Sequence, residues 1–155
     1  MTKIQILIAF ILITAVSLTS AAENGHGNFG LGVILGEPTG LSGKLWTGGK
    51  TAFDGAIAWS TDQNANLHLH LDYLIHNYRF NVDEVNLPFY YGIGGRMKFS
   101  ENDNDDFIGV RVPLGVAYMF DKAPIDLFFE IVPILDLAPD TDFDLNGAIG
   151  ARYFF

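Results

Sequence analysis

Beyond its first two dozen positions, most of the chain places an apolar residue or a glycine at every second position. The closing segment shows the pattern clearly: Phe143, Leu145, Gly147, Ile149, Ala151, Tyr153 and Phe155 alternate with a set that includes Asp144, Asn146 and Arg152. Side chains on a strand point alternately to its two faces, so this segment has one greasy face and one small or charged face. The same alternation predicts eight strands, near Phe29–Leu35, Gly40–Trp46, Ala52–Ser60, Leu67–His76, Pro88–Phe99, Phe107–Phe120, Ile125–Leu135 and Phe143–Phe155. Turn-forming stretches separate them at Gly36–Thr39, Thr47–Lys50, Thr61–Asn64, Asn77–Leu87, Ser100–Asp106, Asp121–Pro124 and Ala138–Asp142. No segment carries a sustained helical period. Successive short strands imply antiparallel neighbours, and closing such a sheet on itself removes its two edges.

The two faces differ in bulk. One collects Leu67, Leu69, Leu71, Tyr73, Val110, Val112, Leu114, Val116, Leu127, Phe129 and Ile131; the other collects Gly30, Gly32, Ala56, Ala58, Gly92, Gly94, Gly109, Gly115, Ala117, Ala148 and Gly150 with nearly all the strand charges. An eight-stranded ring has an interior just wide enough for side chains to fill, so the small and charged face is expected inside. The bulky face then points outward, over an area larger than a soluble monomer tolerates. The reading is all-β: an eight-stranded antiparallel transmembrane β-barrel with short turns and acidic external loops. Ten residues at ~3.3 Å each, tilted by about 40°, reach across roughly 25 Å of hydrocarbon. A lipocalin-like soluble barrel would need the opposite parity.

With both termini facing the periplasm, an interfacial girdle is expected from Phe29, Trp46, Phe53, Tyr78, Phe89, Tyr91, Tyr118, Phe120, Phe129, Tyr153 and Phe155. Trp59, Phe99, Phe107 and Phe143 form a thinner external rim. Pro113 and Pro133 fall inside strands and each removes a ladder donor, so a bulge or bend is expected at both. The Asn77–Leu87 connection is long for a periplasmic turn.

The amino terminus reads as a secretory signal over residues 1–22, with Lys3 before an apolar core at Ile4–Val16 and small residues at Ser20, Ala21 and Ala22. Cleavage before Glu23 would leave residues 23–155 as the barrel domain. The absence of cysteine excludes disulfides, thiolate metal sites and a lipid anchor on Cys.

Three stretches, Leu87–Arg96, Ile108–Phe120 and Phe128–Asp142, resemble a family of small bacterial outer-membrane β-barrel proteins of unknown function. The resemblance covers most of the chain after the signal, closing strand included. In plan, though not in motif, it is also similar to the transmembrane domain of outer-membrane protein A. It implies residence in the bacterial outer membrane, contact with outer-membrane lipids, and handling by the barrel-assembly machinery through the C-terminal strand. No catalytic, cofactor-binding or metal-ligating residues come with it.

Candidate chemistry is sparse. The inward parity gathers Lys44, Arg96, Lys98, Arg111 and Arg152 against Asp54, Asp72, Asp126, Glu130 and Asp144, five cations facing five anions. An unpaired charge in a narrow interior is costly, so balance suits an ion-paired filling, while a gated pore or proton path is the functional alternative. Asp103, Asn104, Asp105 and Asp106 lack the glycine and distal glutamate of a helix-loop-helix calcium site. With Glu37, Asp62, Glu101, Asp136, Asp140 and Asp142 they make the outer mouth acidic.

Lipid A deacylases on small outer-membrane barrels use a His-x-Ser motif. Here Ser42, Ser60 and Ser100 do not follow His26, His68, His70 or His76 by two, although Ser60 and His68 could meet in space. His68, His70 and Asp72 share a face, with His76 further along, and could approach a divalent ion; their roughly 6–7 Å spacing and the lack of further ligands favour a hydrogen-bonding role. The Gly30/Gly32 and Gly92/Gly94 pairs precede no helix and are close-packing positions, not nucleotide fingerprints. A net charge of −9 without a basic patch argues against nucleic acid. The expected function is a structural or surface-interaction role for a monomeric barrel with a filled lumen, without cofactor, metal or enzymatic activity. A narrow channel is the alternative, and a lipid-modifying enzyme a more distant one.

Overall fold

A computed structural model describes residues 27–59, 67–79, 81–82, 85–99 and 106–155. The expected signal segment, His26, Ser60, Asp62, Ser100, Glu101 and Asp103–Asp105 lie outside the described residues. The chain is all-β: β1 (Phe29–Gly36), β2 (Thr39–Trp46), β3 (Thr51–Trp59), β4 (Leu67–Asn77), β5 (Asn81–Val82), β6 (Val85–Asn86), β7 (Phe89–Phe99), β8 (Phe107–Arg111), β9 (Leu114–Met119), β10 (Ile125–Ala138) and β11 (Asp142–Phe154). Nine strands form one antiparallel sheet; β5 and β6 pair only with each other, inside the long Asn77–Leu87 connection.

The sheet closes into a ring. Strand β11 pairs with both β10 and β1, and β8 and β9 follow one another between β7 and β10, so nine strands fill eight lanes. The register fixes the slant. From Gly30 one row of paired residues runs through Lys44, Asp54, Asp72, Gly94, Arg111 and Ile134 to Asp144. In the other direction Gly30 pairs directly with Phe154, ten residues from Asp144 along β11. A stagger of ten over eight lanes, with ~3.3 Å per residue and ~4.8 Å between strands, tilts the strands by about 40°.

Burial follows parity residue by residue. Leu71 is 61% exposed and its neighbour Asp72 is 2% exposed. The outward set includes Leu31, Leu41, Ile93, Leu145 and Ile149, all more than half exposed except Leu31 at 49%. The inward face is richer than small and charged residues alone: Ile34, Leu74, Tyr90, Phe128, Val132, Ile134 and Phe154 are buried there too. Glycine makes room for four of them. Leu74, Tyr90, Phe128 and Phe154 lie directly opposite Gly92, Gly115, Gly150 and Gly30 on the neighbouring strand, where a Cβ would enter the partner side chain.

Three expectations need correction. Trp46 shares the parity of Lys44 and stacks 4.4 Å from the inward His76 ring, so it does not join the outer girdle. Phe107 likewise shares the inward parity of Gly109 and Arg111 and sits 5.8 Å from Lys98 Nζ. The two prolines make one break, not two. The expected Phe107–Phe120 strand is interrupted at Val112–Pro113, whereas Pro133 lies within uninterrupted β10. Val112 N donates to Pro133 O at 3.0 Å and Gly92 N to Pro113 O at 3.0 Å, so both missing donors fall beside the same gap. The irregularity in β10 comes later, between Asp136 and Ala138.

Candidate functional site: an ion-paired interior

The first and last of the described strands begin and end at one end of the ring, where Phe155 N donates to Phe29 O at 2.9 Å; this is the terminal end, and the opposite mouth the distal end. Each inward charge is aimed by strand parity, so the interior is built by register alone. Near the terminal end Arg152 of β11 donates from Nη1 to Asp54 Oδ2 at 2.5 Å and from Nε to Asp126 Oδ1 at 3.2 Å. Its guanidinium lies 4.0 Å from the Phe128 ring centroid. Lys44 Nζ stands 3.8 Å from Asp126 Oδ2, 2.9 Å from His76 Nε2 and 4.5 Å from the Trp46 ring.

At mid-height Arg111 Nε donates to Asp72 Oδ2 at 2.9 Å, and its Nη2 lies 3.6 Å from Glu130 Oε1. Tyr90 Oη donates to Glu130 Oε2 at 3.0 Å. Toward the distal mouth Arg96 grips Asp136 with two parallel bonds, Nε to Oδ1 at 2.9 Å and Nη2 to Oδ2 at 2.5 Å, and reaches Asp144 Oδ2 from Nη1 at 3.0 Å. Asp136 thus belongs to the interior, buried and paired, and not to the acidic mouth.

The three bridges share a design. Asp72, Gly94 and Arg111 occupy one row on three adjacent lanes; so do Tyr90, Gly115 and Glu130, and Arg96, Gly109 and Asp136. Partners two lanes apart stand about 9–10 Å from each other at the backbone. They meet because the lane between carries no side chain. A Cβ on Gly94 would strike Asp72 Oδ1, one on Gly109 Asp136 Oδ1, and one on Gly115 the Tyr90 ring.

Residues 20–139 match the family described as Protein of unknown function (DUF3996). The chain belongs to that family. No match was found among curated proteins or among solved structures. The family span covers β1 through β10 and stops before β11, so the closing strand, which supplies Arg152 and Asp144, lies beyond the matched residues.

In this family member the expected five cations and five anions all face inward, with Lys98 and Asp144 only half-buried. Adding Asp136 gives six anions against five cations. His68 and His70 meet edge to face at 5.9 Å, and His70 Nε2 lies 4.0 Å from Asp72 Oδ2, the oxygen that Arg111 already engages. His76 stands apart, between Trp46 and Tyr90. Among the described residues no group of three His, Asp or Glu side chains is placed to hold a metal ion. Ser42 is buried on the row of Ala56 and His70, with Ala56 between them and no hydrogen bond joining serine to histidine. Ser42, Tyr90 and Asp136 are interior polar residues that the alternation was not used to place; each has the parity of a charged neighbour, Lys44, Arg96 and Glu130 respectively.

Proposed function

We propose that this protein is an eight-stranded β-barrel of the bacterial outer membrane, with a filled, ion-paired lumen and a structural or surface-interaction role. The observation that carries this reading is the inverted polarity of a closed sheet. Arg111 and Arg152 are each 1% exposed, while Leu71, Ile93, Phe143 and Leu145 on the outer wall are exposed by 59–66%. Water would penalise that wall and a bilayer would not. The slant supports the same reading: the eleven residues of β4, at ~3.3 Å each and about 40° of tilt, cover roughly 28 Å. Aromatic pairs cluster on the outer wall at the terminal end, Phe53–Tyr73, Phe89–Tyr91, Tyr118–Phe120 and Tyr153–Phe155, as an interfacial girdle would. The plan is that of the outer-membrane protein A transmembrane domain, with outer-membrane lipids as surroundings and the barrel-assembly machinery as the partner of β11.

The test is detergent dependence. The mature chain is expected to need detergent or lipid to stay dispersed and to migrate faster on a gel before boiling than after. A monodisperse protein in plain buffer would overturn the membrane reading. Planar-bilayer recording addresses the role of the lumen: a filled interior gives no stable current steps.

A further inference from the structure

We propose that His68, His70, Asp72 and Arg111 enclose a cluster of ordered water between the middle of the interior and its distal mouth. The inference rests on inward side chains alone and holds whatever solvent meets the outer wall. His68 and His70 are 3% and 8% exposed, and Asp72 and Arg111 2% and 1%. Each nevertheless has a buried polar atom without a protein partner: His68 Nε2, His70 Nδ1, Asp72 Oδ1 and Arg111 Nη1. They form one contiguous group, since His68 packs on His70, His70 approaches Asp72, and Asp72 holds Arg111.

The chemistry of the four atoms selects the ligand. Arg111 Nη1 can only donate, Asp72 Oδ1 in its ionised form can only accept, and each imidazole nitrogen does one or the other according to tautomer. An anion would satisfy the guanidinium and repel the carboxylate; a cation would do the reverse. A small neutral molecule that both donates and accepts serves all four, and water is the smallest such molecule. Leaving a guanidinium and a carboxylate partly dry is costly, so polar cavities of this kind fill. The lanes on one side carry small residues, Ala58 and then Gly40 beside His68 and Ala56 beside His70, while Lys98 and Arg96 stand on the other.

The terminal half has no equivalent. Asp126 Oδ2 and Arg152 Nη2 also lack hydrogen bonds, but the first faces Lys44 Nζ at 3.8 Å and the second belongs to a guanidinium packed on Phe128. The water is therefore confined to one half.

The experiment is water-selective NMR cross-relaxation on the full mature chain, folded in detergent with 15N-labelled histidine and arginine. Transfer from water is expected at the imidazole N–H groups of His68 and His70 and at the Arg111 guanidinium, with none at Arg152. Absence at the first three, or equal transfer at Arg152, overturns the proposal. A double variant, Asp72→Leu with Arg111→Met, removes the ion pair together with its orphaned atoms. The expected result is a severalfold weaker transfer at His70, in a chain that still shows fast migration before boiling. Unchanged transfer in that folded variant also overturns it. If the variant does not fold, the wild-type contrast between Arg111 and Arg152 decides alone.

Discussion

The two halves of the interior solve the same problem differently. Toward the terminal end, Arg152 is clasped by Asp54 and Asp126 and covered by Phe128, while Lys44 sits between Trp46, His76 and Asp126. Both cations there have a counterion and an aromatic lid. Toward the distal mouth Arg96 is held by Asp136 and Asp144, but His68, His70 and Lys98 share a region where the lanes on one side carry Gly40, Ala56 and Ala58. Among the described residues Lys98 meets only the Phe107 ring, at 5.8 Å. The terminal half is a plug; the distal half is ion-paired at Arg96 and sparsely partnered at His68 and Lys98. One interior can thus be partnered throughout at one end and only on one side at the other, by the choice of residue at equivalent parity.

The sharpest way to break the comparison is Arg152→Met. It leaves Asp54 and Asp126 buried together without their guanidinium, and removing one member of a buried network costs about 3–5 kcal/mol. Urea titration of the folded chain in detergent is expected to show a large fall in midpoint. The gel shift should also be lost at a lower temperature. If Arg152→Met unfolds no more readily than a distal substitution, the plug is no plug.

Next in size come the glycines over which the bridges pass. Gly115→Ala puts a methyl into the Tyr90 ring and disturbs its bond to Glu130, an overpacking expected to cost about 1–3 kcal/mol. Gly147→Ala is the control. It is exposed on the outer wall, where the nearest foreign atom to an added Cβ is Glu130 O at 4.0 Å, so the change should be neutral or stabilise by up to ~1 kcal/mol through the unfolded chain. Equal losses at Gly115 and Gly147 would show that strand propensity, not the bridge, sets the cost.

Much of this was legible in the amino-acid order, and parity explains how much. Alternation alone puts Leu71 outside and Asp72 inside, and it puts Arg111, Glu130 and Arg152 in the interior without any knowledge of pairing. Position along the strand is a poorer guide than parity. Trp46, Phe107 and Asp136 look like rim residues because they stand near strand ends, yet each has the parity of an inward neighbour. What parity cannot supply is register. That Gly94 lies between Asp72 and Arg111 depends on two pairings between lanes separated by long connections, and no local pattern fixes those. The merging of two expected proline defects into one gap is likewise a fact of register, because Val112 must stand against Pro133 for it to occur.

Trp46→Leu sharpens the plug from its edge. The indole lies 4.5 Å from Lys44 Nζ and 4.4 Å from the His76 ring, and a leucine stays apolar but is smaller and lacks the negative ring face. The cation–π part of the loss is expected to be about 1 kcal/mol in the same urea titration, with a packing loss beside it. Lys44→Met in the same chain should shrink the cost of the Trp46 change by that part, since a cation–π term vanishes with its cation and only the packing loss remains. Full additivity of the two would assign Trp46 to packing alone.

The smallest effect is expected at the distal end, from His68→Ala. The imidazole is buried, but its Nε2 holds no protein partner and its lane neighbour Ala58 offers little surface to lose contact with. Deleting it enlarges a polar space that water can enter, so the cavity cost that follows truncation in a dry core is largely offset. A change under ~1 kcal/mol is the expected outcome. The comparison depends on this value as much as on the large one at Arg152. A loss as great as that of Arg152→Met would mean that His68 anchors the distal half as firmly as the guanidinium anchors the terminal half. The interior would then be a single plug from mouth to mouth.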